Sequence, residues 1–274
     1  MKEQELKNAV REGYARVAKE AGSCCSSGCC GTSKPKDISK KIGYTEEEMQ
    51  AVPSGSNLGL GCGNPIAFAS LKEGETVLDL GSGAGFDCFL ASKIVGSNGK
   101  VIGIDMTAEM VARARENALT GGYSNVEFRL GEIEALPVED NTIDIIISNC
   151  VINLVPNKEK AFKEAFRVLK PGGRLMVSDI VLKKNLPDFV LESIEAYVGC
   201  VSGASMKDRY LDFIKSAGFE NVVVNEESDF SLDCMTNDPT GQAILKSLKG
   251  SEEEIRKVEG AISSIKVGAI KPRR

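Results

Sequence analysis

From residue 66 onward the chain alternates short apolar runs with helical patterns, and this alternation restricts the fold more than any other feature. Residues 75–81 (ETVLDLG), 100–105 (KVIGID), 126–133 (VEFRLGEI), 142–150 (TIDIIISNC) and 174–181 (RLMVSDIV) read as strands. Helices are expected over 66–71, 85–96, 108–122 and 157–170, with the last ended by PGG at 171–173, and helices fill about 186–216. Strands separated by helices pair in parallel, because reaching a parallel neighbour takes a crossover long enough to hold a helix. The reading is therefore an α/β chain with a doubly wound sheet and helices on both faces. Residues 219–227 (FENVVVNEE) and 229–235 (DFSLDCM) read as a closing strand pair, and about 236–274 as a helical tail with a last strand at 264–270. Three regions follow: 1–52 as an N-terminal helix and cysteine-rich loop, 53–235 as the main domain, and 236–274 as a small C-terminal subdomain.

Composition limits the chemistry. The 274 residues include nine cysteines and no histidine. Imidazole acid–base catalysis, Ser–His nucleophiles and His-ligated metals are thereby excluded, and the thiolate remains as nucleophile and soft ligand. A net charge of −5 and a pI near 5.2 argue against a nucleic-acid partner. No apolar run approaches the roughly 20 residues of a membrane span. The first 22 residues are charged, with no apolar core of a signal peptide, so a cytoplasmic protein is expected, and a monomer. In that compartment clustered cysteines point to metal, metalloid or redox work more than to structural disulfides. Residues 3–20 form one amphipathic pattern, with Leu6, Val10, Tyr14 and Val17 at spacings of three and four. That helix either packs on a domain face or acts as a lid. Thr45 followed by acids signals a helix start.

The segment VLDLGSGAGFD places Gly81, Gly83 and Gly85 between a strand and a helix. Glycines there let the backbone turn tightly and approach a ligand, and the helix start offers free N–H groups. A dinucleotide fingerprint wants glycine where Phe86 stands. Asp79 at the strand end suits a cationic or zwitterionic ligand better than a pyrophosphate. Asp105 ends the next strand, where a carboxylate can accept both ribose hydroxyls. Glu132 and Ile133, after the third strand, are placed to meet an adenine. Together these positions resemble the S-adenosylmethionine site of class I methyltransferases, a family in which the sulfonium lies over the carboxyl ends of the first and fourth strands.

Cys150 closes the fourth strand, on the side expected to face the methyl group. Cys88 and Cys234 read as structural. Cys62 lies in GLGCGNP, between glycines, where packing explains it poorly, and Cys200 sits among small residues in YVGCVSGAS. These three, from a loop, a strand end and a helical insertion, can converge on one pocket that favours a soft, thiophilic centre.

The order SGSNLGLGCGNP, DLGSGAGFD, GIDMT, SNCVINLVPNKEKAFKEAFRVLKPGGRL and YVGCVSGA resembles the arsenite S-adenosylmethionine methyltransferases, over about residues 53–204. The N-terminal VREGYARVA and C-terminal KVGAIKP share that resemblance. It implies a Rossmann-like methyltransferase domain over 53–235 that includes an arsenic-site insertion. It implies that Asp79, Gly81, Ser82, Gly83, Gly85, Asp105, Met106, Glu132, Ile133 and Asn149 bind S-adenosylmethionine, with Asn149 orienting the cofactor or Cys150. It further implies that Cys150 and Cys200 bind trivalent arsenic, and that Cys62 joins them or pairs in a disulfide. Arsenite and methylarsenite would be the substrates, and a thiol such as glutathione or thioredoxin the reductant. For Cys24, Cys25, Cys29 and Cys30 three readings stand: a redox partner for Cys62, an arsenic-capturing loop, or a zinc site. Two other functions compete: methylation of a small carbon or oxygen acceptor, and non-catalytic metalloid binding.

Overall fold

The computed structural model describes residues 3–20, 35–229, 258 and 260–273. The four-cysteine loop, Cys234 and most of the expected helical tail lie outside the described residues. Helix α1 (Glu3–Glu20) precedes three short helices, α2 (Pro35–Lys41), α3 (Glu46–Gln50) and α4 (Ile66–Ala69). The expected start signal at Thr45 is a full capping box: Thr45 Oγ1 accepts from the Glu48 amide at 3.1 Å, and Glu48 accepts from the Thr45 amide at 2.8 Å.

A seven-stranded sheet forms the centre. Its strands are β1 (Thr76–Leu80), β2 (Lys100–Asp105), β3 (Val126–Leu130), β4 (Ile143–Asn149), β5 (Leu169–Leu182), β6 (Glu220–Asp229) and β7 (Ile262–Ile270), in the order β3-β2-β1-β4-β5-β7-β6. The first five pair in parallel, and β7 runs antiparallel to both β5 and β6. Central strands are apolar on both faces because helices cover both, so Ile143, Ile145, Ile146 and Ile147 are all fully buried. Helices α5 (Phe86–Val95), α6 (Ala108–Gly121), α7 (Lys158–Val168) and α10 (Lys207–Ser216) supply that cover, with two short helices, α8 (Asp188–Leu191) and α9 (Ile194–Val198), between them. In α7 the buried Ala161, Phe162, Ala165 and Val168 recur at helical spacing and face the sheet. Among the described residues no helix is long and apolar enough to cross a membrane.

Two expectations need correction. Asp229, expected to open a second strand, is instead the last residue of β6, which pairs with β7, and the rest of 229–235 lies outside the described residues. Residues 262–270 do not stand apart in a C-terminal subdomain either. They form β7, inserted between β5 and β6 with Ile265 and Val267 fully buried. The last strand expected at 264–270 is present, but its partners lie 34 or more residues away in sequence (Asp229 pairs with Ser263), so local pattern did not place it inside the sheet.

The sheet order reverses at β1, where β2 lies on one side and β4 on the other. In open α/β sheets ligands bind beyond the carboxyl ends of the strands at such a switch point. A hydrophobic cluster at this end packs Val10 of α1 with Leu154, Ile180, Tyr197 and Val201 around Cys62 and Cys200.

Candidate active site

The loop after β1 is pinned to β2: the amides of Gly81 and Ser82 both donate to the Ile104 carbonyl, at 2.7 and 2.9 Å. Asp105 is fixed by backbone, accepting from the Gly83 amide at 3.0 Å and the Thr107 amide at 2.8 Å. A Cβ built on Gly83 (φ +52°) meets nothing within 4 Å, so its backbone faces an open cleft. The buried Ser82 hydroxyl has no hydrogen-bond partner among the described residues. An open glycine cradle, an orphaned hydroxyl and a fixed carboxylate fit a nucleoside ligand. Asp79, Gly81, Ser82, Gly83, Asp105, Met106, Glu132, Ile133 and Asn149 all line this one cleft. Gly85 does not: a Cβ there would lie 2.6 Å from Phe128 and 2.7 Å from Phe89, so packing explains that glycine.

Charge in the cleft favours a cation. Burial, and then the neighbouring Asp87, push the Asp79 carboxyl well above its ordinary pKa. Burial pushes Asp87 up to about 6, against hydrogen bonds from Tyr44 (2.6 Å) and Asn149. Two crowded carboxyls of this kind are stabilised as anions by a bound positive charge. Cys88, expected as core, is fully buried and also donates to Asp79 at 3.2 Å.

Helix α1 covers the cleft, with Lys7, Val10 and Tyr14 on its wall. Glu132, expected beside an adenine, is held by Lys7 at 2.9 Å and by Arg11. Lys7 also pairs with Glu134, a buried acid the sequence reading missed. Burial works against the Lys7 charge, yet the two glutamates outweigh it and raise its pKa. Of the two readings for residues 3–20, cover over the cleft is the one this geometry matches.

The three cysteines do converge. Cys200 Sγ donates to the Cys150 carbonyl at 3.0 Å, and the Cys62 and Cys150 sulfurs lie within 4.8 Å of each other. Burial, then Cys150, push the Cys62 thiol well up, while the Cys200 thiol, together with burial, does the same for Cys150. The site thus holds neutral thiols that a thiophilic centre would deprotonate on binding. Cys150 (φ +58°) and Cys200 (φ +64°) both occupy the left-handed region, which is costly for non-glycine residues and concentrates at functional sites. Both line the cleft; Cys62 is not itself on its wall, though Gly61 is.

The glycines around Cys62 are required by close approach. A Cβ on Gly61 would lie 2.8 Å from Asn149 Nδ2, and one on Gly63 would lie 2.1 Å from Ser178 Oγ. Asn149 clamps this loop: its Oδ1 accepts from the Cys62 amide at 3.0 Å, and its Nδ2 donates to the Gly63 carbonyl at 2.7 Å and to Tyr44 Oη at 3.0 Å. Its amide thus positions Cys62 from the wall of the cleft.

Another residue that sequence reasoning missed stands beside the thiols. The donor atoms of Cys62, Cys150 and Asp179 all lie within 4.8 Å of one another. Cys200, expected as the third member, reaches this set through Cys150. Tyr210 Oη donates to Asp179 Oδ2 at 2.7 Å. Burial pushes Asp179 up to about 7, against Tyr210 and the charge of Lys158. Lys158 is in turn pushed down to about 8 by burial, which Asp179 opposes. The available signal was a lone acid inside the apolar run LMVSDIVL.

The methyltransferase domain family matches residues 71–218, more than half of the chain. The chain is 44% identical over 256 residues to the arsenite methyltransferase of Halobacterium salinarum, covering 89% of this chain and 66% of that protein. It is 35% identical over 215 residues to the human arsenite methyltransferase, covering 74% of this chain and 55% of that one. The chain thus spans less than two thirds of the length of these relatives. An arsenic(III) S-adenosylmethionine methyltransferase from Chlamydomonas reinhardtii superposes with a TM-score of 0.63 at 29% identity, over 89% of this chain and 74% of that one. The chain therefore belongs to the methyltransferase domain family, with the fold of the class I S-adenosylmethionine-dependent enzymes.

Proposed function

We propose that this chain methylates trivalent arsenic, converting arsenite to methyl- and dimethylarsenicals, as a detoxification. The observation that carries the reading is the meeting of Cys62, Cys150 and Cys200 at the mouth of a cofactor cleft, in a chain without histidine. Similarity to named arsenite methyltransferases supports it.

S-adenosylmethionine, when bound, supplies an electrophilic methyl group on a sulfonium. Asp105 offers acceptors for ribose hydroxyls, Met106 and Ile133 give apolar walls, and Asp79 with Asp87 compensates positive charge. Asn149 holds Cys62 in reach of Cys150. Each thiol that takes up arsenite forms an As–S bond, breaks an As–O bond and releases water, the thiol proton leaving with the hydroxide. Two or three thiolates then fix the arsenic so that its lone pair points at the methyl carbon. Attack is an in-line displacement, with the carbon–sulfur pair departing on S-adenosylhomocysteine. The nucleophile has no proton to lose, so no general base is needed. Proximity and orientation do most of the work, at effective molarities that reach about 10⁵–10⁸ M. Methyl transfer uses the lone pair and takes arsenic from +3 to +5; two thiolates then leave as a disulfide, returning the methylated arsenic to +3, and a thiol co-substrate, glutathione or thioredoxin, reduces that disulfide.

The test is turnover of the purified chain with S-adenosylmethionine, glutathione and arsenite, following S-adenosylhomocysteine and arsenic speciation together. Methylated arsenic is expected, lost in Cys150→Ser and in Cys200→Ser. Full activity in Cys150→Ser refutes the thiolate site. Arsenite binding without turnover points to a sequestering protein, and no arsenite binding points to a carbon or oxygen acceptor.

A further inference from the structure

Asp179 occupies a place where an apolar residue would cost nothing. Its neighbours on β5, Val177, Ile180 and Val181, are fully buried, and so is Asp179 itself. A carboxyl taken from water into such surroundings is expensive unless its oxygens are satisfied. Only one is. Tyr210 serves Oδ2, whereas Oδ1 is buried with no hydrogen-bond partner among the described residues. Lys158, the nearby cation, spends its hydrogen bond on the Val155 carbonyl at 3.3 Å. The amides of Val151 and Ile152 face the carboxyl and offset part of its burial. Meanwhile a carboxyl oxygen lies within 4.8 Å of both Cys62 Sγ and Cys150 Sγ. A carboxyl group with one oxygen left unsatisfied thus stands beside the space that two sulfurs enclose.

The chemistry of the substrate says what would use it. Arsenite carries three hydroxyls, and two thiols that bind it release two of them as water. One hydroxyl stays on arsenic, a hard O–H donor among soft sulfur ligands. Methylarsenite has two hydroxyls, so the same two thiols leave it none. Resting on the arsenic reading above, we propose that Asp179 accepts the hydrogen bond of the hydroxyl left on dithiolate-bound arsenite. It thereby distinguishes the first methyl acceptor from the second. A carboxylate is a poor direct ligand for a thiophilic centre, so its contact is with the hydroxyl and not with arsenic.

Asp179→Asn keeps the size of the side chain. The Tyr210 hydroxyl holds the amide oxygen, which turns an N–H toward the site in place of the acceptor. The full chain, reduced and loaded with S-adenosylhomocysteine to prevent turnover, is titrated calorimetrically with sodium arsenite and with methylarsenite. Arsenite affinity is expected to fall about tenfold in Asp179→Asn, the difference between a charged and a neutral hydrogen bond, with methylarsenite within about twofold of wild type. Equal losses on both arsenicals, or none on either, overturn the proposal. X-ray absorption of the wild-type arsenite complex tests it without a variant. Two sulfurs and one oxygen around arsenic are expected, and three sulfurs would leave no hydroxyl for Asp179 to hold. A wild-type chain that binds neither arsenical overturns the arsenic reading itself, and this assignment with it.

Discussion

Replacing Asn149 by aspartate tests how Cys62 is held. The exchange is isosteric and keeps the oxygen that accepts from the Cys62 amide. It replaces Nδ2, the donor to the Gly63 carbonyl at 2.7 Å and Tyr44 Oη at 3.0 Å, with a second oxygen. That oxygen opposes the Gly63 carbonyl and sits 3.4 Å from an Asp87 carboxyl oxygen. A lost hydrogen bond that strands a buried acceptor costs about 1–3 kcal/mol, and the added charge beside Asp87 brings the total to about 2–4 kcal/mol. The cost falls on the 61–63 loop, because Asn149 is its link to β4. Cys62 is 5% exposed, so alkylation requires that loop to open. At 1.4 kcal/mol per tenfold, Asn149→Asp is expected to raise the Cys62 alkylation rate between about thirty- and several-hundred-fold. Iodoacetamide labelling followed by peptide mass spectrometry reads this, with the fully buried Cys88 as internal reference. A Cys62 rate within twofold of wild type refutes the clamp. A matched rise at Cys88 refutes it too, since that reports general unfolding.

Two further outcomes follow from buried charge. The folded pKa of Asp87, about 6, lies above its ordinary 3.8, so the folded state binds that proton more tightly. Its contribution to stability is complete below about pH 4 and is lost as pH rises through 6, a decline of at most about 3 kcal/mol at 1.36 kcal/mol per pH unit. Urea midpoints between pH 4 and 7 are expected to fall less in Asp87→Asn than in wild type, and parallel curves would contradict this. Lys7→Met removes the cation shared by Glu132 and the buried Glu134. Breaking that partly buried pair is worth about 2–4 kcal/mol, or a Tm lower by about 5–10 °C, and an unchanged Tm would show that α1 is held by its apolar face alone.

Much of the fold and part of the site were legible because they depend on local pattern. Strands β1 to β5 announce themselves through apolar runs between helical stretches, and the β1 loop through its glycines. Asp79 and Asp105 could be placed because each ends a strand whose position in the sheet is fixed by that pattern. Cys62 stood out because its flanking glycines had no other purpose, and the structure gives them one in Asn149 and Ser178. What escaped depends on distant partners. Asp179 is drawn to Tyr210, 31 positions later, and to thiols from two other segments. Glu134 matters only because α1 folds back to bring Lys7 against it. Gly85 was misread for the opposite reason: spacing aligned it with the cofactor glycines, while aromatic rings claim its space.

The insertion of β7 between β5 and β6 also constrains how the chain comes together as it is made. Strand β5 is made some 80 residues before its neighbour Ile262–Ile270, and among the described residues β6 has no other partner in the sheet. Until that late segment arrives, one flank of β5 is an open edge, and open edges recruit strands from other chains. The β7-facing edge of Leu175 to Leu182, the segment that carries Asp179, thus stays unpaired while some 80 further residues are made. A nascent chain stalled before residue 262 is expected to need a chaperone, and its aggregates to be seeded by β5.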